Sequence, residues 1–403
     1  MNARRPVRDW ATDFDIFDPR WASDPHGIVS ELRSAGCPVA RTERFGGVSM
    51  PLGHDDVRAV AYDTARFSSR RLLVSDAGVP ADVAERRVPP LTSDPPDHRA
   101  HRLPLVAPMS RAVVERMRPR MAALCGELVD AFAGRGAFDG SHDYAKHIAT
   151  RSIANLLGLP ESDGDTFHRW LSTLLGHGAN DPGVSQKVYN EVQAYMFAAF
   201  MERARAPRED MITYLMATEF DFEDGKRRLD PKMLGGAIQA VLFAGIDTTW
   251  SAIGLMLLHL ARHPRDQARL RADPSVTPRA VEEMLRAYSP VNTGRVVMED
   301  TEVAGCPMRK GEMVVVSYLA ANRDPARFKD PDRVDFDRDE GQHAAFGFGI
   351  HRCVGLHLAR LELQVAIDVL LSRVDDLRLA PEAQAVWEPG MIHGPRILPL
   401  RFG

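Results

Sequence analysis

The sequence predicts a mainly α-helical protein with small β-sheets, folded as a single domain over residues 1–403. Three observations support this prediction. Helical periodicity occupies most of the chain and includes one long apolar segment. Short alternating runs with glycine turns interrupt the helices, which is typical of short strands. No internal repeat or low-complexity linker divides the chain into separate domains.

Composition places the chain among soluble globular proteins, with 44% hydrophobic and 26% charged residues. A net charge of -4 gives no reason to expect a nucleic-acid partner. The N-terminus is charged and lacks the apolar core of a signal peptide. The four cysteines, Cys37, Cys125, Cys306 and Cys353, match no zinc or disulfide pattern. We therefore expect a cytoplasmic protein that is not bound to a membrane.

The short strands are predicted at three places. Residues 39–53 form an alternating pattern around a Gly-Gly pair, which indicates a hairpin, and a helix follows from about Asp55. Residues 296–318 contain further short strands with glycine turns, and the segment from Leu377 is strand-like and interrupted by prolines.

The longest predicted helix begins at the Asp-Pro pair 230–231 and ends at the His-Pro pair 263–264. Such a helix is roughly 50 Å long, enough to cross the molecule. Its stretch 241–260 has the length of a membrane span, but Asp247 near the centre would be costly in lipid. We therefore predict a helix buried inside the protein.

Cys353 follows a loop rich in glycine (Gly347 and Gly349) and precedes a run with helical periodicity. It should lie near a helix N-terminus, where backbone N–H groups and the helix dipole favour a thiolate. The other three cysteines are interpreted as small buried hydrophobic residues.

The pattern F-G-x-G-x-H-x-C-x-G, from Phe346 to Gly355, resembles the haem-ligand loop of the cytochrome P450 superfamily. The resemblance implies the cytochrome P450 fold, with haem b between the long helix and this loop. Cys353 would be the thiolate ligand of the iron, and Phe346, Gly349 and His351 would contact the cofactor. A thiolate ligand favours O–O bond cleavage.

The stretch AGIDTT, 244–249, is similar to the oxygen-activation motif of the same family. Ala244 and Gly245 are small enough for a flat ligand to approach. Thr248 can donate a hydrogen bond to the carbonyl of Ala244, one turn earlier. The resemblance implies that Asp247 and Thr248 are catalytic and deliver protons to bound O2.

Two further stretches resemble the positions that bind the haem propionates. In DPPDHRAHR, 94–102, His98 and Arg102 lie four residues apart on one helix face. In SPVNTGR, 289–295, Arg295 would be the second propionate arginine, because the arginine fork suits a carboxylate. His351 would be the remaining propionate partner.

The spacing Glu283-x-x-Arg286 is weak as a pattern, but its place between the long helix and Cys353 resembles a structural pair of the family. The resemblance completes this buried pair with Arg333. Such a cluster contributes little net stability, yet it is costly to break.

The resemblance also implies a small, mainly apolar substrate pocket. Its walls would come in part from the segments 70–93 and 170–195. Its named members would be Ala240, Phe243, Ala244, Val291, Thr293 and Ile392.

The sequence is thus interpreted as a haem-thiolate monooxygenase that hydroxylates or O-dealkylates a small hydrophobic or aromatic substrate. The last third most resembles haem domains that are fused to their own reductase, but this chain ends at LPLRFG without a flavin or iron–sulfur domain. Electrons from NAD(P)H would therefore arrive through a separate ferredoxin and ferredoxin reductase. A basic surface for the ferredoxin would include Arg99, Arg111, Arg116, Arg118, Arg120 and Arg352.

Other functions stay open from the sequence. A peroxide-driven haem-thiolate enzyme would have no need of the Asp247 and Thr248 pair, and a haem sensor or carrier would have none either. A helical scaffold without haem is the remaining alternative. Turnover that depends on NAD(P)H separates the monooxygenase from the others.

Overall fold

The computed structural model describes residues 4–74, 88–175, 181–339, 341–381 and 384–403. Within these ranges the helices are α1 (Pro19–Ser23), α2 (Pro25–Ser34), α3 (His54–Tyr62), α4 (Asp97–Val106), α5 (Arg111–Glu115), α6 (Arg118–Ala133), α7 (Lys146–Leu157), α8 (Gly164–Leu175), α9 (Pro182–Arg205), α10 (Met211–Ala217), α11 (Pro231–Arg262), α12 (Pro264–Ala272), α13 (Thr277–Tyr288), α14 (Tyr318–Ala321) and α15 (Leu356–Arg373).

The strands in the same ranges are β1 (Val39–Thr42), β2 (Val48–Pro51), β3 (Phe67–Ser68), β4 (Ala137–Asp139), β5 (Phe220–Phe222), β6 (Gly225–Arg227), β7 (Asn292–Val297), β8 (Thr301–Val303), β9 (Cys306–Met308), β10 (Met313–Ser317), β11 (Arg378–Leu379), β12 (Val386–Trp387), β13 (Pro395–Ile397) and β14 (Pro399–Arg401). Short 3₁₀ turns at Arg44–Gly46, Glu161–Asp163, Pro274–Val276 and Gly349–His351, and a π-helical turn at Gly140–Ala145, complete the described elements.

The long helix α11 begins and ends where the sequence predicts. The Asp230 side chain accepts hydrogen bonds from the backbone N–H groups of Lys232 and Met233, and Pro231 occupies the first turn. The helix stops at Arg262, and Pro264 then starts α12. Local capping chemistry therefore determines both ends of the longest helix.

Helix α11 runs through the protein interior, where it packs against α7, α9 and α15. It is long and apolar enough to cross a membrane, but 78% of its most apolar window is buried inside the protein. Burial in the core therefore explains its composition.

The main sheet has five strands in the order β1-β2-β10-β7-β3. The predicted hairpin is present, with β1 and β2 antiparallel and Val39 opposite Pro51. The central strand β10 pairs with β2 in parallel and with β7 in antiparallel orientation, and all five of its residues are buried. Strand β7 contains the last four residues of the SPVNTGR stretch, and its pairing of Arg295 opposite Val314 of β10 fixes the position of Arg295 in the sheet.

The C-terminal segment forms small sheets, as its sequence suggests. Strands β11, β14 and β4 form one of them, and β12 pairs with β13. A single antiparallel bridge joins Val291 to Ile392. The C-terminal segment is thereby tied to the chain just before β7.

Candidate active site

A cavity of about 250 Å³ lies between α11 and the loop that precedes α15. We call it the Cys353 cavity. One wall belongs to α11, and the opposite wall belongs to the cysteine loop and the start of α15. The residues that line these two walls include Ala240, Val241, Ala244, Gly245, Thr248, Thr249, Ala345, Phe346, Gly347, Cys353, Val354 and Gly355.

Backbone interactions hold Cys353 at the cavity wall. Its N–H donates to the carbonyl oxygen of Phe346 at 2.8 Å. Burial raises the pKa of the Cys353 thiol, whereas the N–H of Gly355 and the guanidinium of Arg102 favour the thiolate. The loop needs glycine at Gly349, because its φ is +65° and a Cβ there would lie 2.8 Å from the carbonyl oxygen of a neighbouring helix residue.

Two arginines border the cavity without a carboxylate partner. Arg295 is only 2% exposed, and its guanidinium donates to the Gly294 carbonyl oxygen at 2.7 Å. Burial lowers the pKa of Arg295. Arg102 donates to the carbonyl oxygen of Arg352. Within the described ranges neither guanidinium forms an ion pair, so this edge of the cavity suits an anionic ligand.

Two histidines lie beside these arginines. The ring centroids of His98 and His351 are 4.5 Å apart, and His351 Nε2 lies 2.9 Å from Ser69 Oγ. Burial lowers the pKa of His98 to about 4 and that of His351 to about 3, so both rings are neutral at pH 7. His351 borders the cavity, whereas His98 is not among the described residues that line it. Among the described residues, none is a hydrogen-bond partner of the buried Nε2 of His98.

These residues fit the haem that the sequence motif implies. A cysteine sulfur faces the cavity from one wall, and small residues of α11 line the other. The guanidiniums of Arg102 and Arg295, which lack a carboxylate partner in the described part of the chain, and the His98 Nε2, for which that part supplies no partner, match the needs of two propionates.

Thr248 adopts the local conformation that its spacing predicts. Its Oγ1 donates to the carbonyl oxygen of Ala244 at 2.6 Å, and α11 continues without interruption through this turn. The hydroxyl of Thr248 is thus held at the cavity wall, in the middle of the long helix.

Asp247 lies beside Thr248 in the sequence but does not line the cavity. It is 4% exposed and forms an ion pair with Arg396, with Oδ1 and Nη2 2.6 Å apart. Arg396 also contacts Glu388 at 3.1 Å and Ser251 Oγ at 3.1 Å. Burial raises the pKa of Asp247, and the positive charge of Arg396 opposes that shift.

The cluster at Glu283 corrects one sequence prediction. Arg286 binds Glu283 through Nε at 2.8 Å and Nη2 at 2.9 Å, and both side chains are buried. The second arginine is Arg338, whose Nε lies 3.0 Å from Glu283 Oε1. The prediction of Arg333 was wrong, because only its backbone carbonyl reaches Arg286 while its side chain is 71% exposed beside Asp335.

Four of the six predicted pocket residues line the cavity, namely Ala240, Ala244, Val291 and Thr293. Phe243 instead packs in the main hydrophobic core, since its position on α11 turns it away from the cavity. Ile392 is also outside the described lining, and its backbone forms an antiparallel bridge with Val291. Of the two predicted wall segments, residues 75–87 and 176–180 lie outside the described residues.

Two residues at or near the site were not predicted from the sequence. Arg396 has no local signal, since it reaches Asp247 only through the tertiary fold. Glu362 of α15 lines the cavity, is 2% exposed, and accepts a hydrogen bond from Thr249 Oγ1 at 3.1 Å. Its position on the apolar face of LHLARLELQVAIDVLL was a usable signal, because a buried acid is unusual.

Comparisons with known proteins agree with this geometry. A family model described as Cytochrome P450 matches residues 184–376. The chain is 33% identical to cytochrome P450 107B1 from Saccharopolyspora erythraea, over 97% of this chain and 98% of that protein. It is 34% identical to mycinamicin IV hydroxylase/epoxidase from Micromonospora griseorubida, over 94% of this chain and 97% of that protein.

Solved structures show the same fold. The crystal structure of CYP101J2 matches with a TM-score of 0.87 and 27% identity, over 100% of both chains. The structure of CYP109Q5 from Chondromyces apiculatus matches with a TM-score of 0.86 and 32% identity, over 98% of this chain and 99% of that one. The chain therefore belongs to the cytochrome P450 family of haem-thiolate monooxygenases.

Proposed function

We propose that this enzyme uses O2 and externally supplied electrons to hydroxylate or O-dealkylate a small hydrophobic or aromatic substrate. The observation that carries the proposal is that Cys353 and Thr248 border one cavity from opposite walls, with apolar side chains between them. A metal ligand and a proton-handling hydroxyl are thus directed at one apolar space.

Haem b, when bound, supplies the O2 chemistry, and the protein supplies binding, orientation and protons. Cys353 would ligate the iron through its thiolate. Arg102, Arg295, His351 and His98 would bind the propionates, with the His98 ring beside that of His351. Phe346 and the tight turn at Gly349 would keep the sulfur in place.

Thr248 and Asp247 would deliver protons to bound O2. The Thr248 hydroxyl lies at the cavity wall, where it can donate to a ligand or a water molecule. Asp247 is on the side of α11 that faces Arg396 and Glu388, whose side chains are partly exposed. In this proposal Asp247 takes protons from that side and Thr248 passes them inward.

The substrate class is inferred from the cavity wall away from Cys353. That wall contains Leu72, Pro90 and Leu91 together with Val291 and Thr293. Apolar side chains predominate and one hydroxyl is available for orientation, which suits a small hydrophobic or aromatic molecule.

Electron delivery from NAD(P)H would use a separate ferredoxin and ferredoxin reductase, even though the last third resembles reductase-fused relatives. Arg99, Arg111, Arg116 and Arg352 are exposed, and Arg111 and Arg352 both lower the pKa of His357, close to Cys353. These four arginines form our candidate ferredoxin surface. The other two arginines predicted for this surface pair with acids, Arg118 with Glu115 and Arg120 with Glu161.

The same proposal treats residues 1–403 as one haem-binding domain in the cytoplasm.

Attraction between the arginine surface and an acidic ferredoxin should be screened by salt. We therefore expect the rate of reduction by ferredoxin to fall as salt is added, and a rate that does not depend on salt would contradict this surface.

The decisive experiment is the absorption spectrum of the purified protein, reduced and exposed to carbon monoxide. We expect a strongly red-shifted Soret band, which Cys353→His should move to the position typical of a neutral ligand. Product formation that requires NAD(P)H, ferredoxin and reductase would then separate the monooxygenase from a peroxide-driven enzyme or a haem carrier. Absence of a haem band would overturn the proposal.

A further inference from the structure

Trp250 lies three residues after Asp247 on α11, and its ring contacts the Arg396 guanidinium. The Arg396 Cζ atom is 4.4 Å from the centroid of the Trp250 ring, within the range of a cation–π interaction. The same guanidinium forms the ion pair with Asp247, with Nη2 and Oδ1 2.6 Å apart. Residues three apart lie on one side of a helix, so the ring and the carboxyl share this cation.

The indole nitrogen anchors the other edge of the Trp250 ring. Its Nε1 donates to Ser141 Oγ at 2.7 Å, and Ser141 Oγ donates to the carbonyl oxygen of Pro395 at 2.5 Å. Ser141 is fully buried in the π-helical turn, and Pro395 is the residue before Arg396 on β13. One buried hydroxyl therefore ties the ring to the strand that carries Arg396. The indole cannot turn away from the guanidinium without losing this hydrogen bond.

Helix α11 and the chain around β13 approach each other closely here. A Cβ on Gly394 would lie 2.5 Å from Ser251 Cβ, and a Cβ on Gly254 would lie 3.0 Å from Pro395 Cγ. Glycine at both positions therefore lets the two segments pack directly. Ser251 Oγ also accepts a hydrogen bond from Arg396 Nη1 at 3.1 Å. Packing thus holds the backbone of Arg396 against α11.

The Arg396 guanidinium has a second acid within reach. Glu388 accepts a hydrogen bond from Arg396 Nε at 3.1 Å, and its side chain is 31% exposed, whereas Asp247 is buried. An ion pair with an exposed acid needs less desolvation than one with a buried acid. A guanidinium that was free to move would therefore shift toward Glu388. The face of Trp250 opposes this shift, because it attracts the cation where Nη2 reaches Asp247.

The histidines in this region do not compete for the cation. Burial lowers the pKa of His168, whose ring packs edge-on against the indole, to about 3. Burial and the charge of Arg396 lower the pKa of His393 to about 3 as well, so both rings are neutral at pH 7. Burial raises the pKa of Asp247, and the described charges that act on it are Arg396, which lowers it, and Glu388, which raises it.

We propose that Trp250 is a positioning residue, whose ring holds the Arg396 guanidinium on Asp247 and keeps this proton-delivering acid ion-paired. The effect on the ion pair depends only on these contacts, whereas the effect on turnover rests on the proposed monooxygenase function. Without the ring face, Arg396 turns toward Glu388. Asp247 then loses a positive charge that favours its carboxylate, and the acid keeps its proton to higher pH.

The first test follows the protonation of Asp247 without turnover. Infrared difference titration, with Asp247→Asn in the same background as the reference, isolates the C=O band of the protonated carboxyl. We expect its midpoint to lie about half a pH unit to one pH unit higher in Trp250→Leu than in the wild type. Trp10→Leu is the matched control, because Trp10 is also half-buried and has Arg20 Cζ 5.9 Å from its ring centroid. Its midpoint should equal that of the wild type.

A fluorinated tryptophan in place of Trp250 separates the ring face from the packing. Fluorine withdraws electron density and weakens the negative face of the ring, while the shape of the side chain is nearly kept. We expect the midpoint to rise with the number of fluorine atoms, so the test does not depend on the folding of Trp250→Leu. A midpoint that fluorination leaves unchanged would overturn the inference, because a purely structural role of Trp250 predicts that result.

Turnover provides a second readout. The pH profile of ferredoxin-supported turnover should move to higher pH by the same amount in Trp250→Leu, but not when Asp247→Asn is also present. A shift of equal size in the Asp247→Asn background would overturn the inference. Lack of the carbon monoxide band in the wild type would instead be a failure of the proposed function, and the infrared titration would still decide whether Trp250 controls the ion pair.

Discussion

The ion pair between Asp247 and Arg396 allows a quantitative prediction. Arg396→Met keeps much of the side-chain volume and removes the charge that faces the buried carboxylate at 2.6 Å. Loss of one partner of a buried pair costs about 3–5 kcal/mol. Because the Arg396 side chain is 15% exposed, we expect a loss near the lower limit, about 3 kcal/mol at pH 8.

The loss should depend on pH. Burial raises the pKa of Asp247, and Arg396 opposes this, so Arg396→Met raises it further. A carboxyl with a higher pKa in the folded state contributes stability that is complete below its unfolded pKa, about 3.9, and is lost as pH rises through the folded pKa. Within that window the loss is about 1.4 kcal/mol per pH unit. The variant should therefore approach wild-type stability as pH falls toward the unfolded pKa.

The assay is urea unfolding followed by tryptophan fluorescence, in a double-mutant cycle with Asp247→Asn. We expect a coupling free energy of about 2–3 kcal/mol at pH 8, because Arg396→Met removes no ion pair with residue 247 once Asp247→Asn has made that side chain neutral. Arg396→Lys is the matched control, since it retains a positive charge. An equal loss from Arg396→Met in the wild-type and Asp247→Asn backgrounds would refute the reasoning.

Three further predictions concern other parts of the site. Thr248→Ala should divert most electrons from NAD(P)H to hydrogen peroxide, measured against product formed, whereas Thr248→Ser should stay near the wild type; tight coupling in Thr248→Ala would contradict the role of its hydroxyl. Glu283→Gln should lower the free energy of unfolding by about 3 kcal/mol, and Arg333→Ala should change it by less than about 0.5 kcal/mol, as urea midpoints will show; the reverse order would contradict the corrected cluster. Burial alone would raise the pKa of Glu282, but the hydrogen bonds from Arg360 outweigh burial and lower this pKa to about 2. The contribution of Glu282 to stability is therefore present above its unfolded pKa and is lost as pH falls toward 2. Glu282→Gln should thus destabilise at neutral pH, and the difference from the wild type should disappear in an acid titration of unfolding; a difference independent of pH would exclude the ion pair as its cause.

Features that depend on neighbours in the sequence could be predicted. The ends of α11 follow from an Asp-Pro cap, and the bond from Thr248 to Ala244 spans one helical turn. The pair of Glu283 and Arg286 is likewise three residues apart on one helix. In each case the helix geometry alone brings the groups together.

Features that depend on the packing of distant segments could not be predicted. Arg338 and Arg333 lie in the same loop, and only its path decides which guanidinium reaches Glu283. Arg396 reaches Asp247 from the C-terminal strands, with no spacing rule to reveal it. Phe243 on α11 could not be placed from the sequence for the same reason. A step of one residue along the helix moves a side chain from the cavity to the core.

The separate anchoring of the cavity walls has a consequence for how this enzyme can diversify. The cysteine wall is held by the ion pair between Glu282 and Arg360 of α15 and by tight turns such as Gly349, whereas the wall that we propose for the substrate consists of single apolar side chains such as Leu72, Leu91 and Val291. Exchanges among apolar residues of similar volume cost less than about 1.5 kcal/mol. New substrate preferences are therefore accessible to stepwise mutation at these three positions, while the reaction chemistry is inherited unchanged.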